Sequence, residues 1–173
     1  MVTGPVTTTA APEDAGPRAT ARARALFLDA DNAYGCAETS FIVLKEAFAL
    51  PDAADPSAAM ALNGGVAYSG GVCGAVTGAA IALGQLAAAR TGDHATAKRI
   101  AREGVARLIE DFEVEFGAVN CRELLGRDIR TPEAHAAFIE SGVWRTVCIR
   151  QIEFVVDRLA SLADKPIEAP GSG

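Results

Sequence analysis

The chain has 173 residues and half of them are hydrophobic, so one domain can bury a core without needing disulfides or a metal to fold. Its formal net charge is −6, and Lys and Arg form no cluster along the chain. These features exclude a nucleic-acid-binding protein, because phosphate binding needs a basic face.

Both ends of the chain have the composition of disordered segments. Residues 1–18 are rich in Thr, Ala, Pro and Gly, and acidic residues lie where a secretory signal would need apolar ones. We expect a disordered arm over 1–18, one domain over 19–163 and a disordered tail over 164–173. Without a signal, the expected compartment is the cytoplasm, where cysteines serve as ligands or redox groups more often than in disulfides.

Residue spacing in the domain predicts an all-α fold, since no segment alternates with a period of two residues. The first half should form helices over 19–30, 33–50, 57–62 and 72–90, with Asp31 and Asn32 available as caps. The last of these is uncharged and approaches the length of a membrane span. A helix so rich in Ala and Gly would insert poorly into a bilayer, so a buried helix is favoured and no membrane insertion is expected.

In the second half of the domain, the residue pattern predicts a long amphipathic helix over 94–116. It also predicts a short helix within "NCRELLG", capped by Asn120 and Glu123. Another short helix should begin at Thr131-Pro132, and a last helix should cover 143–163. A compact bundle of four longer helices with short connecting helices is the simplest packing of these elements.

The cysteines at positions 36, 73, 121 and 148 fall near the starts of four different predicted helices. A helix N-terminus stabilises a thiolate and is expected to lower the pKa of the thiol. The sequence contains no C-x-x-C motif, which excludes a zinc ribbon and a thioredoxin-type dithiol. It also contains no C-x-x-C-H motif, which excludes covalently attached haem. Any shared site must therefore be assembled by tertiary structure, and the alternative is that the thiols only fill a core.

Gly74, Gly78 and Ala82 lie four residues apart on one face of the predicted helix 72–90. Small residues at this spacing let a backbone or a bulky inorganic group approach Cys73 closely. The same spacing is typical of a close helix contact or of a homodimer interface.

The remaining polar and aromatic candidates are His94, His135, Tyr34 and Tyr68. Both histidines begin or lie in polar helical segments and are expected to be solvated. The tyrosines are able to donate hydrogen bonds to sulfur, although core or surface positions are more typical of them.

Together these motifs resemble the redox-active family named for its cysteine pattern, C_GCAxxG_C_C. The central CGAxxG motif is matched by Cys73–Gly78, and the first cysteine by Cys36-Ala37, with Gly35 where Asn is common. The third cysteine and its Glu-Leu-Leu-Gly run are matched by Cys121–Gly126, and the fourth by Cys148.

The resemblance covers roughly residues 26–160 and implies a redox or metal-associated protein. A related domain in split-Soret cytochrome c proteins binds an iron–sulfur cluster besides haem, and only the cluster side of that analogy applies here.

Three functions follow from the cysteines. The first is binding of a [2Fe–2S] cluster by Cys36, Cys73, Cys121 and Cys148 beside Gly74, for electron transfer or redox sensing with a partner protein. The second is metal-free thiol chemistry with Cys73 as the nucleophile. The third is a structural zinc site or a plain helical interaction module.

Overall fold

The computed structural model describes residues 15–163, which are mainly helical and contain no named strand. In chain order the α-helices are α1 (Ala15–Phe27), α2 (Cys36–Ala47), α3 (Gly74–Thr91), α4 (His94–Phe116), α5 (Cys121–Leu125), α6 (Pro132–Glu140) and α7 (Val147–Ala160). Short 3₁₀ helices cover Ser57–Leu62, Val143–Arg145 and Ser161–Ala163. The all-α prediction is confirmed over this range.

Helix α4 shows how local signals place a boundary. Asp93 accepts a hydrogen bond from the Thr96 N–H at 2.8 Å, and Gly117 closes the helix in the left-handed conformation. Its bounds are those predicted. At α6, Thr131 accepts from the Ala134 N–H at 3.2 Å and Pro132 is the first helical residue, again as predicted.

Other boundaries depend on packing and differ from the prediction. Helix α1 begins at Ala15, so residues 15–18 are helical rather than part of an arm, because this turn packs along α7 and buries Gly16 beside Asp157. Residues 1–14 and 164–173, the rest of the predicted arm and tail, lie outside the described residues.

Three further details were wrong. Gly35 caps α2, not Asp31 or Asn32. The predicted last helix breaks at Thr146 into a 3₁₀ turn and α7. Asn120 is the N-cap of α5, but its side-chain amide donates to the Glu123 carboxylate at 3.1 Å, so the expected capping box does not form.

Helix α2 is the centre of the core. Every residue from Ala37 to Lys45 is buried, because α1, α3 and α7 all pack around this one helix. Phe41, Leu44 and Phe48 are buried as predicted.

The small-residue face of α3 is occupied by α2 within the same chain. A Cβ atom at Gly78 would overlap the carbonyl oxygen of Ala37, and one at Gly74 would overlap the Cys36 sulfur. Ala82, on the same face, is fully buried. This face therefore brings two helix backbones together inside one molecule, and the homodimer prediction gains no surface from it.

Helix α3 was also the candidate membrane segment. None of the helices over residues 15–163 has both the length and the apolar content needed to cross a bilayer.

We expect Gly78→Ala to lower the free energy of unfolding by about 1–3 kcal/mol, because the new methyl group forces α2 and α3 apart. Gly84→Ala is the matched control on the same helix, since no atom lies within 4 Å of its added Cβ. That substitution should stabilise the protein by about 0.5–1 kcal/mol through helix propensity. Urea unfolding of both variants measures the difference, and equal effects would contradict the close helix contact.

Candidate functional site

The four cysteines occupy the starts of four helices. Cys36 and Cys121 are the first residues of α2 and α5, Cys73 is the N-cap of α3, and Cys148 is the second residue of α7. All four are free thiols.

A short backbone ladder holds the starts of α3 and α5 side by side. The Cys73 N–H donates to the Val119 carbonyl at 2.8 Å, and the Cys121 N–H donates to the Gly71 carbonyl at 2.7 Å. Gly70 adopts the left-handed conformation (φ 84°), and its Cα lies against the Arg122 side chain. The glycines before Cys73 thus align Cys73 with Cys121, a pairing that no local sequence motif encodes.

A cavity of about 230 Å³ lies among these helix starts, and Cys36, Cys121 and Cys148 line it. Its walls also contain Glu38, Asn63 and a set of aromatic residues, which comprises Phe27, Tyr34, Tyr68, His135, Phe138 and Trp144. Cys73 does not line the cavity. It is 2% exposed, and its thiol donates to Gln151 Oε1 at 3.6 Å.

Asn63 organises the surroundings of Cys36. Its Oδ1 accepts from the Ala37 N–H at 2.9 Å and from the Cys36 thiol at 3.8 Å, while its Nδ2 donates to Glu38 Oε2 at 2.8 Å. The same carboxylate oxygen accepts from the Gly35 N–H at 2.9 Å. Gly35 has to be glycine, because any side chain there would overlap the Asn63 amide.

Burial raises the pKa of all four thiols. The pKa of Cys121 rises to about 12, and those of Cys73 and Cys148 lie well above the ordinary value of 9.0. For Cys36, backbone N–H groups of Ala37, Gly64 and Gly74 oppose the effect of burial and lower the pKa. The prediction that helix starts lower these pKa values overall was wrong, because desolvation exceeds the contribution of the helix end.

The thiols also act on one another. After burial, charge on Cys36 raises the pKa of Cys73, Cys121 and Cys148, and charge on Cys121 raises those of Cys73 and Cys148. Charge on Cys148 in turn raises the pKa of Cys73. Every pair among the four thiols therefore lies within electrostatic range.

The four sulfur atoms nevertheless do not meet at one point. Between Ala15 and Ala163, no three His, Cys, Asp or Glu side chains are grouped closely enough to hold a single metal ion.

A family model described as "Putative redox-active protein (C_GCAxxG_C_C)" matches residues 34–162, well over half of the chain. The chain belongs to the C_GCAxxG_C_C family. This confirms the resemblance drawn from the motifs. No curated protein and no solved structure matches the chain.

In this C_GCAxxG_C_C protein, sequence reasoning missed Glu38, Asn63 and Gln151. Glu38 lies at the third position of α2, the place where an acid bonds back to the capping residue, and that spacing was a usable signal. Asn63 and Gln151 reach Cys36 and Cys73 from distant parts of the chain, and no local pattern marks such contacts.

The two histidines have different surroundings. His94 is exposed, as predicted. His135 is half-buried, lines the cavity and packs its ring 4.5 Å from that of Tyr68, so the expectation of a solvated side chain was wrong for it. Packing of α6 against the turn before α3 brings these rings together.

The raised pKa values predict a pH-dependent stability of the reduced, metal-free protein. The pKa of Cys121 is near 9.0 in the unfolded chain and about 12 in the folded protein. The contribution of this protonated thiol to the free energy of unfolding is therefore fully present below pH 9 and is lost as the pH rises towards 12. Each such thiol should lower the free energy of unfolding by about 1.4 kcal/mol per pH unit in that window.

Urea unfolding at several pH values measures this effect in the natural protein and in Cys121→Ser. The difference between the two proteins isolates the effect of the Cys121 thiol from those of other groups that titrate at high pH. The variant should lose stability less steeply above pH 9. Identical slopes would contradict the buried, protonated thiol.

Proposed function

We propose that this protein is a redox protein whose four thiols bind an iron–sulfur cluster, [2Fe–2S] in the first instance, for electron transfer or redox sensing. The observation that carries the proposal is that Cys36, Cys121 and Cys148 line one cavity, while the backbone ladder holds Cys73 beside Cys121. Four cysteines are the ligand set of both [2Fe–2S] and [4Fe–4S] clusters.

The donor set suits such a group. Thiolates are soft ligands that prefer iron–sulfur clusters and zinc among the biological metal sites. Without a cation the four thiols stay protonated, because burial and mutual repulsion disfavour their thiolates. A positively charged group among them would remove that repulsion, and an iron–sulfur cluster would supply one-electron chemistry.

The protein's own groups would then act on the sulfur atoms. Backbone N–H groups of Ala37, Gly64 and Gly74 lower the pKa of Cys36, and N–H groups near a ligand sulfur tune a cluster's reduction potential. Gly74 contributes this donor because it has no side chain to displace the Cys36 sulfur.

The positions of the cysteines in the chain favour a cluster over structural zinc, because structural zinc sites usually take two ligands from one short loop and these four cysteines are far apart in sequence. A zinc ion needs its four ligands around a single centre, whereas a cluster distributes them over two or more iron atoms. No three candidate ligand side chains in residues 15–163 meet at a single centre.

Anaerobic reconstitution of the full chain with iron and sulfide tests the proposal. We expect visible absorption and equal amounts of iron and acid-labile sulfide, about two of each per chain for [2Fe–2S]. Cys→Ser at each of the four positions should lower bound iron, while Gly84→Ala, whose Cα faces open space on α3, should not. A measured content of about four irons per chain would change the assignment from [2Fe–2S] to [4Fe–4S]. The absence of bound iron would overturn cluster binding.

A second candidate, metal-free thiol chemistry, is favoured by the backbone donors around Cys36. Those amides stabilise its thiolate, and Cys36 lines the cavity while Cys73 is 2% exposed, so the structure favours Cys36 over Cys73 as nucleophile. The Cys36 thiolate would attack hydrogen peroxide, so that an S–O bond forms as the O–O bond breaks, and the departing hydroxide would take up the proton that the Cys36 thiol released and leave as water. The Cys73 thiol would then displace a second water to close a disulfide.

Mass spectrometry of the metal-free protein after mild peroxide treatment separates the two candidates. Thiol chemistry predicts a Cys36–Cys73 link that Cys36→Ser abolishes. Absence of any link among the four cysteines would contradict this candidate and leave the cluster proposal unaffected.

A further inference from the structure

The segment that leads into the thiol cavity has an unusual backbone. Five consecutive residues, Gly64 to Tyr68, have positive φ angles of 64°, 76°, 62°, 49° and 59°. Three of them, Val66, Ala67 and Tyr68, are not glycine, and each pays a conformational cost in the left-handed region. A left-handed turn of this length persists only where surrounding contacts hold it, and such strain is concentrated at functional sites.

Hydrogen bonds fix this left-handed turn on both sides. Within it, the Tyr68 N–H donates to the Asn63 carbonyl at 3.1 Å and the Gly70 N–H donates to the Gly64 carbonyl at 3.0 Å. From outside, the guanidinium groups of Arg122 and Arg130 both donate to the Ser69 carbonyl, at 3.0 and 3.3 Å. These contacts hold the backbone on both sides of Tyr68.

The turn delivers two groups to the cavity. The backbone N–H of Gly64 lowers the pKa of the Cys36 thiol, and the Tyr68 ring lies over Gly64, where any added side chain would overlap it. Tyr68 lines the cavity yet is 39% exposed, so its ring stands between the cavity and solvent. Its other neighbour is His135, which completes the same wall.

Neighbouring exposed apolar side chains do not share this position. Met60 and Val66 are 55% and 45% exposed, and neither lines the cavity. The turn therefore directs one particular aromatic ring to the cavity wall.

We propose that Tyr68 is the specificity-determining residue of this site: its ring, held by the left-handed turn, limits the size of the molecules that reach Cys36, Cys121 and Cys148. The inference deepens the proposed function, because it names what controls access to the thiols, and it rests on that function only through the shared cavity. Small oxidants or reductants pass the ring, whereas larger redox molecules are excluded unless it rotates away.

Alkylation of the reduced, metal-free full chain tests this directly. Rates at each cysteine are read by mass spectrometry with a small reagent, iodoacetamide, and a large one, fluorescein maleimide. Tyr68→Ala should speed the large reagent about tenfold at the three cavity cysteines and change the small reagent little. Cys73, which does not line the cavity, should keep its rate with both reagents and serves as an internal control.

Matched variants separate the ring from the turn. Val66→Ala alters the same turn at an exposed side chain, and Tyr68→Phe retains the ring, so both should keep the natural rates. His135→Ala, which removes the ring packed against Tyr68, should give a smaller acceleration in the same direction and remains informative if Tyr68→Ala fails to fold.

Unchanged rates in Tyr68→Ala, or an equal acceleration in Val66→Ala, would overturn the proposal. An acceleration that is the same for both reagents would also overturn it, because size selection is what the ring is proposed to provide. These rates do not depend on iron. A failed reconstitution would therefore leave this result interpretable.

Discussion

The close approach of α2 and α3 at Gly74 and Gly78 is the contact on which the site depends. Because neither glycine has a side chain, the start of α3 lies directly against Cys36 and Ala37. This contact places Cys36, the first residue of the most buried helix, beside the helix that Cys73 caps. The ladder between the segments before α3 and α5 then adds Cys121, and the packing of α7 on α2 adds Cys148.

Burial dominates the electrostatics of the thiols. A helix start offers free N–H groups and a favourable dipole, and Cys36 receives several such donors. Burial of four thiols away from water and near one another destabilises their thiolate forms more than these donors stabilise them, so all four pKa values rise. Ionisation of these thiols is therefore disfavoured in the metal-free protein. That property suits a group of cluster ligands better than a set of four independently reactive cysteines.

Access to the site is a separate problem, and the chain solves it with strained backbone rather than with a long loop. Three non-glycine residues accept left-handed conformations between Asn63, which orients Cys36, and Ser69, which two arginines hold. The Tyr68 ring at the cavity wall is the product of that strain. The proposed selectivity by size and the proposed cluster thus both depend on one short segment.

Local patterns were enough for the all-α class, the bounds of α4, the start of α6, the cysteine-bearing helix starts and the family. Those features depend on capping residues, helical periodicity and short motifs, which neighbouring residues determine. The extension of α1 to Ala15 and the break at Thr146 escaped prediction, because packing against distant helices decides them. The same holds for Asn63 and Gln151, which reach the thiols from remote parts of the chain, and for His135, which lines the same cavity.

The direction of the thiol pKa values shows the difference most clearly. Sequence places each cysteine at a helix start, where a lowered pKa is the local expectation. Only the folded arrangement sets how much water each sulfur loses and which other thiols lie near it, and desolvation and charge repulsion depend on those three-dimensional distances. Residue order therefore determines which atoms are available for the chemistry. Packing decides their ionisation, their separation and their accessibility to other molecules.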